Sequence, residues 1–324
     1  MADQLKKFPD QLMFEPAIDN ADKLTPAKYF VAAGMGGSHL AASLIKDIEH
    51  MDNLTIHSDY GLPHIDEYKR KETLFVAVSH SGNTEETIGF ANAALKEDLK
   101  LAIITGGGKL KELAHDNKLP FIALPDNGLP PRLSTGYMAA ALLTLFGMNE
   151  KLAEMKFAAK SLSEKYHTIA TEGQKTAALL FDHIPLVYSS EKNFSLAYYW
   201  KIAMDETAKV PAFANKFPEL DHNELAGFTL PNSGKPYCLV TIHDAEDDGE
   251  QIEKRMRLTS KLIEEHGAKT VDIRLEGKNR LEKFWRSVYL AVCTSFALAG
   301  LTGVDPLGTE FIESFKSELG RQPI

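Results

Sequence analysis

Short runs of apolar, β-branched residues alternate along this chain with longer stretches in which apolar positions recur every three or four residues. The first pattern predicts buried strands and the second amphipathic helices. In the first half, YFVAAG (29–34), LTIHSDY (54–60), TLFVAVS (73–79), KLAIITGGG (100–108) and LPFIALP (119–125) read as strands. SHLAASLIKDIE (38–49), TEETIGFANAALKE (84–97) and the strongly apolar RLSTGYMAAALLTLFGM (132–148) read as helices. Residues 150–177 are polar and carry apolar positions at Leu152, Met155, Ala158, Leu162 and Tyr166, which predicts a linking helix. The order then recurs. IPLVYSS (184–190), PYCLVTIHD (236–244) and AKTVDIRL (268–275) read as strands. SLAYYWKIAMDETAK (195–209), EQIEKRMRLTSKLIEEH (250–266) and LEKFWRSVYLAVCTSFALAGL (281–301) read as helices. Strands alternating with helices predict an α/β fold with parallel sheets. The recurrence predicts two doubly wound, flavodoxin-like domains related as a pseudo-repeat, spanning 1–150 and 151–324. Ligands of such sheets bind beyond the carboxyl ends of the strands, near the topological switch point.

Two turns interrupt this pattern with unusual chemistry. VSHSGNTEET (78–87) leaves a buried strand and places Ser79, Ser81, Gly82, Asn83 and Thr84 just before a helix. Ser, Asn and Thr are ordinary helix caps and early glutamates suit the helix dipole, so a capped turn is one reading. The other is a phosphate site, because free N–H groups at a helix start and added hydroxyls converge on one anion. At the matching place in the second half stands HDAEDDGE, with Asp244, Glu246, Asp247, Asp248 and Glu250. Five carboxylates repel a phosphate, which leaves only the first half to hold one there. GMGGSHLAAS (34–43) follows the first strand; its glycines allow close backbone approach, and Ser38 can cap the next helix. His39 takes the place of the third glycine of a dinucleotide fingerprint, and no phosphate loop of the Gly-Lys-Ser/Thr type is present.

Charge and composition narrow the partners. A formal net charge of −9 and no basic stripe argue against a nucleic-acid surface. Cys238 and Cys293 sit in apolar runs and read as buried thiols, which fits a reducing compartment. The N-terminal MADQLKKFPDQLMFEPA lacks a signal-peptide core. No run approaches the roughly 18 uninterrupted apolar residues of a membrane helix. These features predict a cytoplasmic protein without a membrane partner. The histidines show no metal-ligand spacing, and neither H-E-x-x-H nor C-x-x-C occurs, so no metal is expected.

GMGGS after the first strand, with SHSGNTEET after a later one, resembles the sugar isomerase (SIS) domain family. The two-copy layout, ETAKVPAFANKFPELDHNELAGF (206–228) and the C-terminal ESFKSEL (313–319) make the chain similar to its bifunctional phosphoglucose/phosphomannose isomerases over essentially its whole length. The resemblance implies a sugar-phosphate substrate, no cofactor, and a homodimer. It implies that Gly36, Gly37 and Ser38 line the sugar and phosphate pocket and that Ser79, Ser81 and Thr84 hold the phosphate. Arg132 would lie beside the reacting carbons and Glu206 would be the base. His222, reaching across from the other subunit, and Lys316 would act in ring opening. Thr309 would face the C1–C2 end, where a small side chain leaves room for either C2 epimer. His39-Leu40-Ala41-Ala42 departs from the smaller, glycine-containing continuation of the family.

The chemistry asks for these residue types. Aldose–ketose isomerisation moves a proton between C2 and C1 through a cis-enediol, and one positioned carboxylate can do it. A fixed cation stabilises the enediolate, and histidine suits the proton transfers of ring opening. Each residue also has a plainer reading: Glu206 as a surface carboxylate near Asp205, Arg132 as a salt-bridge partner, His222 as a core histidine and Lys316 as a solvated helix lysine. A non-catalytic sugar-phosphate sensor and an amino-sugar-phosphate deaminase or deglycase are the competing functions.

Overall fold

The computed structural model describes residues 2–319. The first five strands are β1 (Tyr29–Ala33), β2 (Leu54–His57), β3 (Thr73–Ser79), β4 (Leu101–Thr105) and β5 (Phe121–Ala123). They form one parallel sheet in the order β2-β1-β3-β4-β5. The second sheet joins β6 (Ile184–Ser190), β7 (Phe213–Phe217), β8 (Tyr237–His243) and β9 (Lys269–Arg274) in the order β7-β6-β8-β9, again parallel throughout. The second order repeats the first four positions of the first sheet, so the pseudo-repeat is a repeat of topology. β3 is buried at every position, as its uninterrupted apolar run requires.

Local differences from the sequence pattern have physical causes. The strand expected over 100–108 stops at Thr105, because Gly106, Gly107 and Gly108 turn the chain into an unforeseen helix, Gly108–Asp116. The strand expected over 54–60 stops at His57. β7 escaped the pattern because it is an edge strand: FANKF is half polar, and Phe213 is 57% exposed. The linking segment is two helices, Asn149–Glu164 and Tyr166–Leu180.

The two sheets share one apolar core. Helix Gly37–Glu49 of the first half packs on helix Phe194–Ala203 of the second, and both touch the long helix Arg280–Thr302. Asp47 ties the three together: its carboxylate accepts from the Ser195 amide at 2.9 Å and its carbonyl accepts from Arg280 Nε at 3.0 Å. The Trp200 indole donates to Ser287 Oγ at 3.1 Å. Helix Arg280–Thr302 is long and apolar enough to cross a membrane, but its apolar window is 83% buried inside the protein. Its apolarity is accounted for by the shared core.

The acidic loop after β8 is closed by cations of that same helix. Lys283 Nζ lies 2.7 Å from Asp244 and 2.6 Å from Glu246, and Arg280 binds Asp244 and Asp247. Asp248 accepts from the Asp244 amide at 2.7 Å and from Asn193 at 2.9 Å. The Asp244 and Glu246 amides are thus taken by the loop's own carboxylates, and burial raises the Asp248 carboxyl above the usual range.

Breaking such a pair leaves a buried charge. Lys283→Met should lower stability by about 3–5 kcal/mol, with a large part recovered when Asp244→Asn is added. Urea unfolding of the two single variants and the double variant checks this; additive losses would contradict it.

Candidate active site

The glycine turn and the serine loop meet at the carboxyl ends of β1 and β3, the switch point of the first sheet. Ser38 Oγ accepts from the His80 amide at 3.3 Å, joining the two loops. Ser38 does not cap its helix: Gly36 holds the cap position, and Ser38 lies inside the first turn. Ser79 is buried; its Oγ lies 2.9 Å from Thr84 Oγ1 and accepts from the Gly82 amide at 3.1 Å. Ser81 is exposed and accepts from the Asn83 amide at 3.3 Å. Thr84 precedes helix Glu85–Lys96 without a side-chain cap bond, so the hydroxyls of this loop are not consumed in capping. Gly82, at φ +71°, packs so tightly that a Cβ there would lie 1.7 Å from the Gly107 carbonyl oxygen. Only glycine permits this meeting of two loops.

Arg132 reaches this turn from the short 3-10 turn Pro131–Leu133. A Cβ on Gly37 would stand 2.5 Å from the Arg132 amide, so the glycine turn and the arginine backbone are in direct contact. The guanidinium is 2% exposed and uses all three nitrogens. Nη1 pairs with Glu206 Oε2 at 3.2 Å, Nε donates to Thr207 Oγ1 at 3.0 Å, and Nη2 donates to the Pro306 carbonyl at 2.8 Å. The Tyr199 hydroxyl donates to the Arg132 carbonyl at 3.0 Å. Burial pulls the guanidinium below its ordinary range and the Glu206 charge opposes that pull. A buried arginine needs a carboxylate partner, and here that partner is the candidate base itself.

Glu206 lies on a π-helical turn, Met204–Ala208, that extends helix Phe194–Ala203. Such turns favour functional positions because they displace one side chain from the regular spiral. The carboxylate is 24% exposed, and its Oε1 lies 4.0 Å from where a Cβ on Gly36 would be. The glycine turn, the arginine and the glutamate therefore form one cluster, with the serine loop joined to it through Ser38.

Thr309 is half-buried and follows Gly308, whose carbonyl accepts from Lys209 Nζ at 2.6 Å. It directly follows the Pro306–Gly308 stretch that Arg132 and Lys209 hold. His222 and Lys316 do not join it within one chain. His222 is exposed on the 3-10 turn Glu219–His222, beyond edge strand β7. Lys316 is 62% exposed on helix Glu310–Leu319 and pairs with Glu313 at 2.8 Å. Lys209, Thr207, Tyr199 and the Pro306–Gly308 backbone were not foreseen; nothing in their residue types marks them, although Lys209 lies in the quoted ETAKVPAF stretch. His39 packs its ring 5.7 Å from that of Tyr198, a contact between the two halves of the chain.

Burial lowers the pKa of both His39 and His80, against a raising influence from Gly36 and Asp126 respectively. Folding thus favours the neutral form of both imidazoles, whereas the unfolded chain protonates them below about pH 6.5. Their contribution is complete above that value and lost as pH falls toward the depressed folded values. Urea midpoints measured from pH 7.5 to 5 should fall less steeply for a His39→Asn, His80→Asn double variant than for the parent; an equal slope would contradict this.

Residues 169–319 match the family described as the bacterial phospho-glucose isomerase C-terminal SIS domain. The chain is 32% identical over 305 residues to a bifunctional phosphoglucose/phosphomannose isomerase of Aquifex aeolicus (strain VF5), covering 93% of each chain. A protein of the same description from Thermoplasma volcanium is 32% identical over 325 residues, covering 98% of this chain and 99% of the relative. Among solved structures, a hypothetical protein from Thermus thermophilus superposes with a TM-score of 0.71 at 19% identity, covering 98% of this chain and 86% of that one. With the two doubly wound sheets and the glycine, serine and arginine–glutamate elements in place, the chain belongs to the bifunctional phosphoglucose/phosphomannose isomerase family of SIS-domain proteins.

Proposed function

We propose that this chain is an aldose–ketose isomerase that interconverts glucose 6-phosphate and fructose 6-phosphate, and also acts on mannose 6-phosphate. The observation that carries the reading is the pairing of Glu206 with a fully engaged, buried Arg132 beside the glycine turn. We assign the phosphate to Ser38, Ser79, Ser81 and Thr84, with Gly36 and Gly37 lining the sugar. Glu206 removes the C2 proton of the open-chain aldose as the carbonyl oxygen at C1 gains one. The C2–H electron pair becomes the C1–C2 double bond of a cis-enediol. The proton then returns to C1, the O2 proton passes to the group that supplied the O1 proton, and C2 becomes the ketone. Charge on the enediolate oxygens develops beside Arg132, whose three hydrogen bonds fix it in advance of the reaction. A single carboxylate serving both carbons must lie within hydrogen-bond reach of each. Thr309 leaves room for protonation at C2 to give either epimer.

Ring opening is assigned to His222 and Lys316 in a homodimer. Their exposure within one chain supports a site completed by a second copy, as do Phe311 and Phe315 of the C-terminal helix, 92% and 65% exposed. We read residues 1–150 and 151–324 as the two SIS domains of each copy. A reducing, cytoplasmic setting is supported by two free cysteines whose thiols burial pushes up to about 12.

Two measurements test these assignments. Fructose 6-phosphate, coupled to glucose-6-phosphate dehydrogenase, should yield NADPH, and Glu206→Gln should lose about 10²–10⁴-fold in kcat. Tight sugar-phosphate binding without turnover would instead favour a sensor. Mixing inactive Glu206→Gln and His222→Ala proteins should restore about a quarter of the parent activity if each site in a two-fold dimer draws its histidine from the partner. No recovery, with subunit exchange verified, would contradict a shared histidine.

A further inference from the structure

The chain reverses at Lys209, at φ +58° and ψ +33°, in the left-handed region that ordinary side chains avoid. Glycine or asparagine would hold this position at lower cost. The side chain explains what the lysine adds. Its Nζ donates at 2.6 Å to the carbonyl of Glu206 and at 2.6 Å to the carbonyl of Gly308. The first bond caps the last turn of the π-helical segment, where a cation also suits the helix dipole. The second reaches 99 residues along the chain, to the connector leading into helix Glu310–Leu319.

Arg132 holds the same connector two residues earlier, through the Pro306 carbonyl. The connector is therefore pinned at Pro306 by Arg132 and at Gly308 by Lys209. Glu206 is held at both its ends by the same two cations: its carboxylate by Arg132 and its carbonyl by Lys209. Thr309 is the next residue after the second pin, and its carbonyl accepts the Glu313 amide of the C-terminal helix at 3.0 Å.

We infer that Lys209 is a positioning residue, a clasp that fixes the backbone of Glu206 against the Pro306–Thr309 connector and so sets the distance from the base to the C1–C2 end of the sugar. It does not touch the substrate in this role. The phosphate loop lies on other elements and does not depend on it, so loss of the clasp should act on the chemical step and spare ground-state binding. The kinetic part of the inference rests on the isomerase reading above.

The test compares the parent with Lys209→Met, which keeps the stem and removes the donors, and Lys209→Arg, whose fork can again bridge two carbonyls. Misplacement of a catalytic group by about 1 Å can cost about 100-fold in rate. Lys209→Met should therefore lose about 10–100-fold in kcat for fructose 6-phosphate while KM stays within about threefold. Lys209→Arg should recover most of that loss. Hydrogen exchange should show faster exchange at residues 307–313 in Lys209→Met and protection restored in Lys209→Arg. A kcat for Lys209→Met within twofold of the parent would overturn the inference. So would a loss not recovered in Lys209→Arg, or unchanged exchange over 307–313. If the parent itself fails to turn over fructose 6-phosphate, the isomerase reading fails instead, and the exchange measurement still decides whether the clasp exists.

Discussion

A buried guanidinium cannot stand alone, and this site is organised around one. Arg132 is almost wholly withdrawn from water, and removing one partner of such a pair costs about 3–5 kcal/mol. Its partners are contributed by separate parts of the chain: Glu206 and Thr207 from the second half, and the Pro306 carbonyl from the C-terminal connector. The contact of the Arg132 backbone with Gly37 adds the first glycine turn. One desolvated cation thus brings together the glycine turn, the candidate base and the connector. In the proposed mechanism the same desolvation would strengthen its field on the enediolate.

The pseudo-repeat makes this division of labour possible. The loop after β3 in the first copy carries the hydroxyls of Ser79, Ser81 and Thr84, and the phosphate is proposed to bind there. The second copy fills the matching loop from within, as Lys283 and Arg280 neutralise Asp244, Glu246 and Asp247 and Asp248 takes the amide of Asp244. What the second copy contributes to the site comes instead from helix Phe194–Ala203 and its π-helical extension, pressed against helix Gly37–Glu49. Fold and function meet at that helix pair, because the packing that joins the two halves also sets Glu206 beside Arg132.

Elements whose burial is complete were plain from the sequence. β3 announces itself by a nearly unbroken apolar run, and helix Arg280–Thr302 by the dense apolar stretch that follows Arg286. β7 did not, since an edge strand has one solvated side and Asn215 and Lys216 interrupt its pattern. The serine loop could be suspected because several hydroxyls crowd one turn. Arg132 and Glu206 lie 74 residues apart on different halves, and no local pattern joins them; only the family resemblance did. Lys209 was invisible for another reason: its role comes from a left-handed backbone and a contact 99 residues away, neither of which composition encodes. His222 and Lys316 are exposed and stand outside the cluster of a single chain, and their part in ring opening rests on the proposed second copy.

The central claim is that one carboxylate, Glu206, carries the proton between C2 and C1. The most direct measurement is the fate of the label when glucose 6-phosphate deuterated at C2 is converted to fructose 6-phosphate in ordinary water, followed by NMR. A single shuttling carboxylate predicts partial transfer: part of the deuterium appears at C1 and the rest is lost to solvent, with both processes slowed together in Glu206→Gln. Complete retention at C1, with the rate unchanged in Glu206→Gln, would mean a hydride shift and would contradict the account.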